Sequence, residues 1–483
     1  MSDEILINIT PPETRVAVLE NGVLQDLIVE RQHKQDIVGN LYRGEICRVM
    51  PGIQAAFVEI GLDRAGFLHA SDVLVNGEAP YDGKGIEKIL QQGQKVIVQI
   101  LKAHIGTKGP RLTMSISIPS RYQVFLPYSE KLAISQQIEN EPERDRLLAC
   151  MKVFKEQGYP GGYIARTAAE TVEGESIRAD MLFLNKLWGL IELQTKQVEL
   201  GLIYEDLPLA LKILRDWYRP SVTKIVIDSK RNFDRMADFS VKFMPEVERL
   251  LGLYKGERPL FNIYNIENEI KAALERKVAL KSGGHLVFDQ TEAMTTIDVN
   301  TGSYLGCVNQ EKTVFKTNLE AAQATARQLR LRNLGGIIIV DFIDMHNEEH
   351  KVSVLSALEK AMSDDHAKHT ISNVSELGLV EITRKRTRES LKHVMCEPCE
   401  MCNGTGTVQT PETTCYEIFR EIMRDARQYE ARELLVLASN EVVERLLDEE
   451  STTLADLEAF VGIRINFRVE NRYSQEQYDV VLA

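Results

Sequence analysis

Two aspartates, Asp298 and Asp341, each stand at or just past the end of an apolar stretch that reads as a β-strand: Met294-Thr295-Thr296-Ile297-Asp298-Val299-Asn300 and Ile337-Ile338-Ile339-Val340-Asp341. A carboxylate so placed is hydrogen-bonded, paired or holding a cation, because burying it alone is strongly unfavourable. Two of them from neighbouring strands supply the hard oxygen ligands that Mg²⁺ takes, with water and phosphate oxygens completing its shell. Asn300 lies two residues beyond Asp298 and shares its strand face. Its neutral amide can hydrogen-bond a phosphate without adding repulsion. The plainer alternative for either aspartate is a helix cap or a turn, and the pair by itself leaves that choice open.

Other residues offer separate chemistry. Cys396, Cys399 and Cys402 crowd together, and Cys399-x-x-Cys402-x-Gly404-x-Gly406 has zinc-knuckle spacing. One knuckle gives two of the four ligands a structural zinc needs. Cys396 with His393, or Cys415, can complete a site within the chain; otherwise a second chain donates its own knuckle. Arg166-Thr167 ends the strand Gly162-Tyr163-Ile164-Ala165 and suits a terminal phosphate, although an exposed strand-end arginine is usually just solvated. Phe57 and Phe67 fall on the strand faces opposite Ala56, Val58 and Leu68, as stacking platforms for unpaired bases or as core. Two basic runs, 327–332 and 384–388, are solvated helix faces or flanks of an RNA path. His346 and His350 stand four apart, but Asn347 occupies the place where a zinc protease needs glutamate. No G-x-x-x-x-G-K-S/T loop and no G-x-S-x-G elbow occurs, which disfavours an ATP-driven helicase and a serine hydrolase.

The elements that must position these groups follow from periodicity. Ile5–Ile9 and Thr14–Val18 alternate as strands, with Asn21-Gly22 as a hairpin turn. From 39 to 117, short strands between regularly spaced glycines fit a small OB-type barrel. Residues 118–207 mix helix and strand, and helices dominate from 208 to 282, including one from Ile266 to Lys281 stopped at Gly283-Gly284. Two strands then carry Asp289 and Asp298, and a helix spans about Asn318 to Asn333. The run Ile337–Asp344 reads as a strand buried on both faces, in a sheet covered by helices. A smaller α+β unit closes the chain.

At 483 residues the chain is too long for one core. Its seven cysteines are odd in number and uneven in spacing, which excludes a secreted disulfide framework. No stretch is apolar and long enough for an integral membrane segment, and Met1-Ser2-Asp3-Glu4 is no secretory start, so a cytoplasmic protein is expected. A net charge of −13 argues against nucleic acid in bulk, while the local basic runs leave that partner open.

Four words, Thr296–Thr301, Phe315–Ala322, Ala326–Gly336 and Val340–Met345, resemble the catalytic block of the ribonuclease E/G family, and the likeness extends over essentially the whole chain. The resemblance implies a multidomain α/β and α+β enzyme: a DNase I-like catalytic domain, an inserted OB-fold barrel, an RNase H-like part, a zinc link and a small C-terminal domain. The segments implied are 1–38 and 208–273 for the RNase H-like part, 39–117 for the RNA-binding barrel and 118–207 for a 5′-phosphate sensor. The catalytic domain takes 274–394, the zinc link 395–410 and the small domain 411–483.

In that family the positions matching Asp298 and Asp341 hold Mg²⁺, and the one matching Asn300 positions the scissile phosphate. Those matching Phe57, Phe67 and Lys108 contact RNA, and those matching Val124, Arg166, Thr167 and Lys368 sense a 5′-monophosphate, with lysine at 368 departing from the family's arginine. Cys399 and Cys402 match the pair that shares a Zn²⁺ between two chains, leaving Cys396 extra. The implied activity is endonucleolytic hydrolysis of single-stranded A/U-rich RNA, including ribosomal RNA precursors and messages. It is stimulated by a 5′-monophosphate and leaves 5′-phosphate and 3′-hydroxyl ends. A homodimer is implied; its pairing into tetramers, and the choice of one or two catalytic metals, stay open. No long extension follows Ala483, which places the resemblance with the short branch of the family. The rival expectation is a non-catalytic, zinc-linked RNA-binding scaffold.

Overall fold

Asn21 and Gly22 take left-handed backbone angles (φ 51° and 78°), which lets a two-residue turn join strands Glu13–Glu20 and Val23–Arg31. Both strands belong to a five-stranded sheet in the order Leu251–Leu253, Val222–Ile227, Asp3–Ile9, Glu13–Glu20, Val23–Arg31. The computed structural model describes residues 2–32, 36–74, 85–103, 109–302, 310–375, 377–429 and 432–482. They form two units, Met1–Leu391 and Lys392–Ala483.

Within the first unit, Leu41–Met50 pairs with both Ala55–Glu59 and Lys95–Lys102, which closes a five-stranded barrel through Gly66–His69 and Arg111–Thr113. Ile46, Val58, Leu68, Val98 and Leu112 fill its interior. A four-stranded sheet follows, with Gln123–Leu126 between Ile118–Pro119 and Gly162–Ala165, packed on helices Glu141–Glu156 and Gly174–Gln197.

The sheet that carries the aspartates has six strands in the order Lys277–Ala279, His285–Gln290, Met294–Asn300, Gly336–Asp341, Leu379–Arg384, His369–Ile371. Helices Gln310–Leu331 and Glu348–Met362 share one core with Ile297, Val299, Ile338 and Val340, so both helices lie on the same face. The other face is open. Ile337 on that side is 49% exposed. The expectation of a strand buried on both faces is therefore corrected: an apolar run does not reveal that alternate isoleucines face solvent. Two further expectations change. The helix from Ile266 stops at Leu274, because Lys277–Ala279 pairs with His285–Val287 as a hairpin. The helix expected from Asn318 is already formed at Gln310 and ends at Leu331, where Asn333 turns left-handed (φ 47°).

The second unit has a three-stranded sheet, Arg464–Val469, Glu433–Ala438, Tyr478–Leu482, packed on helices Pro411–Gln428, Asn440–Leu447 and Ser451–Val461. Thr410 starts the first of these, its hydroxyl accepting from the Thr413 N–H at 3.2 Å ahead of Pro411. Among the described residues no helix is long and apolar enough to cross a membrane.

Candidate functional site

Strand Met294–Asn300 alternates strictly: Thr295, Ile297 and Val299 are buried, while Thr296, Asp298 and Asn300 stand on the open face. It runs parallel to Gly336–Asp341 with Asp298 directly opposite Asp341. Adjacent strands lie about 4.8 Å apart, so the two carboxylates are neighbours. Both are exposed, and neither forms a salt bridge among the described residues. The Asn300 amide donates to Asp298 Oδ2 at 2.6 Å, which fixes the carboxylate and leaves a second N–H free to act. Burial, then the charges of Asp298 and Asp344, hold the Asp341 carboxyl above its usual range. Asp298 and Asp341, two adjacent carboxylates without a salt-bridge partner among the described residues, are the hard oxygen donors that Mg²⁺ takes alongside water and phosphate oxygens, so this pair fits the ion.

Asn318, which no spacing argument singled out, secures the strand end. It is fully buried, donates to the Ile343 carbonyl at 2.8 Å and accepts the Ile343 N–H at 3.1 Å. The only hint in the sequence is an amide on the packed face of an otherwise alanine-rich helix. His346 and His350 do not share a helix face. Asn347 caps the helix between them by accepting the Glu349 N–H at 2.8 Å, and His350 stacks on Phe315 at 4.1 Å.

On the barrel, Phe57 and Phe67 are partly exposed while Ala56, Val58 and Leu68 beside them are fully buried. Their rings meet edge to face, 6.0 Å apart. Register extends this pair into a rung, Arg48 opposite Phe57, Phe57 opposite Phe67, Phe67 opposite Arg111. Two exposed arginines thus flank two phenylalanines, a combination that suits stacked bases with phosphates on either side. Arg111 also pairs with Asp72 at 2.8 Å. Lys108 lies outside the described residues.

Val124 sits opposite Ile164, and Arg166 follows two residues later on the same face, with its N–H on the Tyr122 carbonyl at 2.8 Å. The Arg166 guanidinium is already engaged, by the Ser120 carbonyl at 2.6 Å and by Asp216 at 2.8 Å. Thr167 is exposed at the start of a short turn. Ser120 also bonds Asp180, whose carboxyl burial pushes up to about 6. Lys368 is exposed, its carbonyl accepting the Lys385 N–H at 2.8 Å; no contact joins it to Arg166.

Cys399 and Cys402 are brought together by a turn that uses positive φ at Asn403, Gly404 and Gly406 (48°, 86° and 81°). The last two require glycine. The Gly406 and Gly404 N–H groups, with a hydrogen bond from Cys399, hold the Cys402 thiol below its usual range, ready to lose its proton to a metal. Cys415 is fully buried in the core of the second unit with its thiol on the Val442 carbonyl, and burial pushes that thiol up to about 11. Among the described residues no group of three or more His, Cys, Asp or Glu side chains is placed to hold a metal.

Several arginines of the basic runs are engaged within the protein, while Lys385, Arg386 and Arg388 are exposed. Arg330 is buried against Asp26 (2.6 Å) and Glu20 (2.8 Å), and Arg327 reaches the Leu24 carbonyl and Glu269. Arg332 lies over the Phe288 ring at 4.5 Å. Arg384 is locked to Asp365 at 2.6 Å with both side chains buried, and Arg386 donates to the Gly335 carbonyl at 2.9 Å. Their partners are distant in sequence, so composition alone could not assign them.

Comparison with known proteins accounts for most of the length. Residues 35–115 match the S1 RNA binding domain, 117–387 the ribonuclease E/G family, and 398–482 the RNase E/G thioredoxin-like domain. Ribonuclease G of Salmonella typhimurium (strain SL1344) is 48% identical over 490 residues, spanning 100% of both chains. Ribonuclease G of Escherichia coli (strain K12) is 47% identical over the same span, and ribonuclease E of that organism is 35% identical over 94% of this chain and 43% of its own. With an S1-type barrel, a paired-aspartate sheet inside the family's defining segment and near-half identity from end to end, the chain belongs to the ribonuclease E/G family.

Proposed function

We propose that the chain is a ribonuclease G-like endoribonuclease that hydrolyses single-stranded, A/U-rich RNA with Mg²⁺. The observation that carries this is the register of Asp298 against Asp341 on an open sheet face, without a salt-bridge partner among the described residues. Asp298 and Asp341 would hold the ion, which when bound supplies a Lewis acid for the phosphoryl oxygens and a water of lowered pKa. Asn300, anchored through Asp298, directs its free N–H at the scissile phosphate. The open face admits an extended strand; a groove closed by helices on both sides would not. Products with 5′-phosphate and 3′-hydroxyl ends follow from attack that expels the 3′ oxygen.

The Phe57–Phe67 pair seats unpaired bases, and Arg166 with Thr167 and Val124 receives a 5′-monophosphate, sharing Arg166 with Asp216. The knuckle of Cys399 and Cys402 shares one Zn²⁺ with a second chain, a proposal favoured by the burial of Cys415. Ribosomal RNA 5′-end maturation and messenger RNA decay, in the cytoplasm, are the tasks this activity would serve. The test is cleavage of 5′-phosphorylated and 5′-hydroxyl oligonucleotides in Mg²⁺ or in EDTA. Internal cutting that needs Mg²⁺ and is faster with the 5′-phosphate is expected. A chain that binds RNA without cutting it is the zinc-linked scaffold instead.

A further inference from the structure

His285 stands directly opposite Asn300 on the neighbouring antiparallel strand. Side chains of such a pair share a face, with Cβ atoms about 5 Å apart. His285 is therefore on the open face with Asp298 and Asn300, and it is half-buried. Its position is set by backbone contact. A Cβ on Gly284 would lie 2.6 Å from the Asn300 carbonyl, and one on Gly302 would lie 2.5 Å from the Gly283 carbonyl, so the segments before His285 and after Asn300 interlock.

The charges on this face are unequal. On one side of the aspartates stand Leu379 and Glu381; on the other, Lys277 occupies the same rung as Asp298, opposite Val287, and His285 the next rung. On these rungs the described residues thus place nitrogen donors on the side of His285 and Lys277, and an apolar group and a carboxylate on the side of Leu379 and Glu381.

We propose that His285 is a phosphate-contacting residue of this nuclease, its ring N–H holding a non-bridging oxygen of the scissile phosphate from the side of Asn300. Either neutral tautomer keeps one N–H, so the contact does not depend on the ring's charge. The RNA backbone then leaves the site over strands His285–Gln290 and Lys277–Ala279. This inference rests on the proposed nuclease activity and adds a residue to it.

The test is single-turnover cleavage by the full chain in Mg²⁺, with His285→Ala, His285→Phe and His285→Gln compared at matched thermal midpoints. Loss of one hydrogen bond to a charged oxygen predicts a rate lower by roughly 10- to 100-fold for His285→Ala and His285→Phe. His285→Gln, which keeps an N–H at similar reach, recovers to within a few-fold of wild type. RNA affinity in all three changes far less than the rate. Wild-type rates in His285→Ala and His285→Phe overturn the proposal, as does a His285→Gln variant that is folded and as slow as His285→Ala. A wild-type chain that does not cut at all overturns the nuclease activity itself, and this assignment with it.

Discussion

Asp298 and Asp341 repel each other, no salt bridge among the described residues neutralises either, and the further charge that acts on Asp341, that of Asp344, is also negative. Natural structures keep such arrangements where a ligand supplies the missing charge. The spacing of Asp298 and Asn300 was legible because strand faces repeat every two residues. His285 and Asn318 were not, since each gains its meaning from a partner strand or loop that only the register reveals. A different residue controls stability. Asp180 is bonded to Ser120 and its folded-state carboxyl titrates near 6, against an ordinary value of 3.8. The stability contributed by its protonated form is complete below about pH 4, falls as pH rises, and is gone above about pH 6. Unfolding measured across that window should lose about 3 kcal/mol from this group, and Asp180→Asn should flatten the loss. An unchanged pH slope in the variant would rule out Asp180 as its source.

One sheet with a single covered face explains why the aspartates are accessible. Its architecture was partly legible: the strands and the aspartate pair were, the open face was not. Ile337, Ile338 and Ile339 form a continuous apolar run, and nothing local distinguishes a half-exposed isoleucine from a buried one. Likewise, Ile266 to Lys281 has helical composition, but pairing of Lys277–Ala279 with His285–Val287 wins over local propensity. The barrel was legible as an element, down to the phenylalanine faces. Arg48 and Arg111 were missed because cross-strand neighbours are far apart in sequence. Stacking by this rung predicts that Phe57→Ala or Phe67→Ala weakens single-stranded RNA binding by about 1–3 kcal/mol each. Both rings are partly solvent-exposed, so thermal midpoints should hardly move; a fall in stability without a fall in affinity would return them to the core.

Across the first unit, buried arginines join parts of the chain that are hundreds of residues apart. Arg330 ties helix Gln310–Leu331 to Asp26 and Glu20 of the amino-terminal sheet, which keeps the aspartate sheet in a fixed setting. The second unit carries the knuckle, and Cys399 with Cys402 would supply only half of the proposed zinc shell. Metal analysis of the purified protein should give one zinc per two chains, and Cys402→Ser should remove it and shift the protein to monomer. One zinc per chain would mean a private site completed by Cys396 or another neighbour. The most direct measurement concerns the aspartates. Asp298→Asn and Asp341→Asn, assayed on a single-stranded oligonucleotide in Mg²⁺, should each lose roughly 10³-fold or more in cleavage rate. RNA affinity should be retained, and the thermal midpoint should hold or rise as repulsion is relieved. Cleavage at the wild-type rate by either variant would contradict the assignment of the paired carboxylates as the catalytic centre.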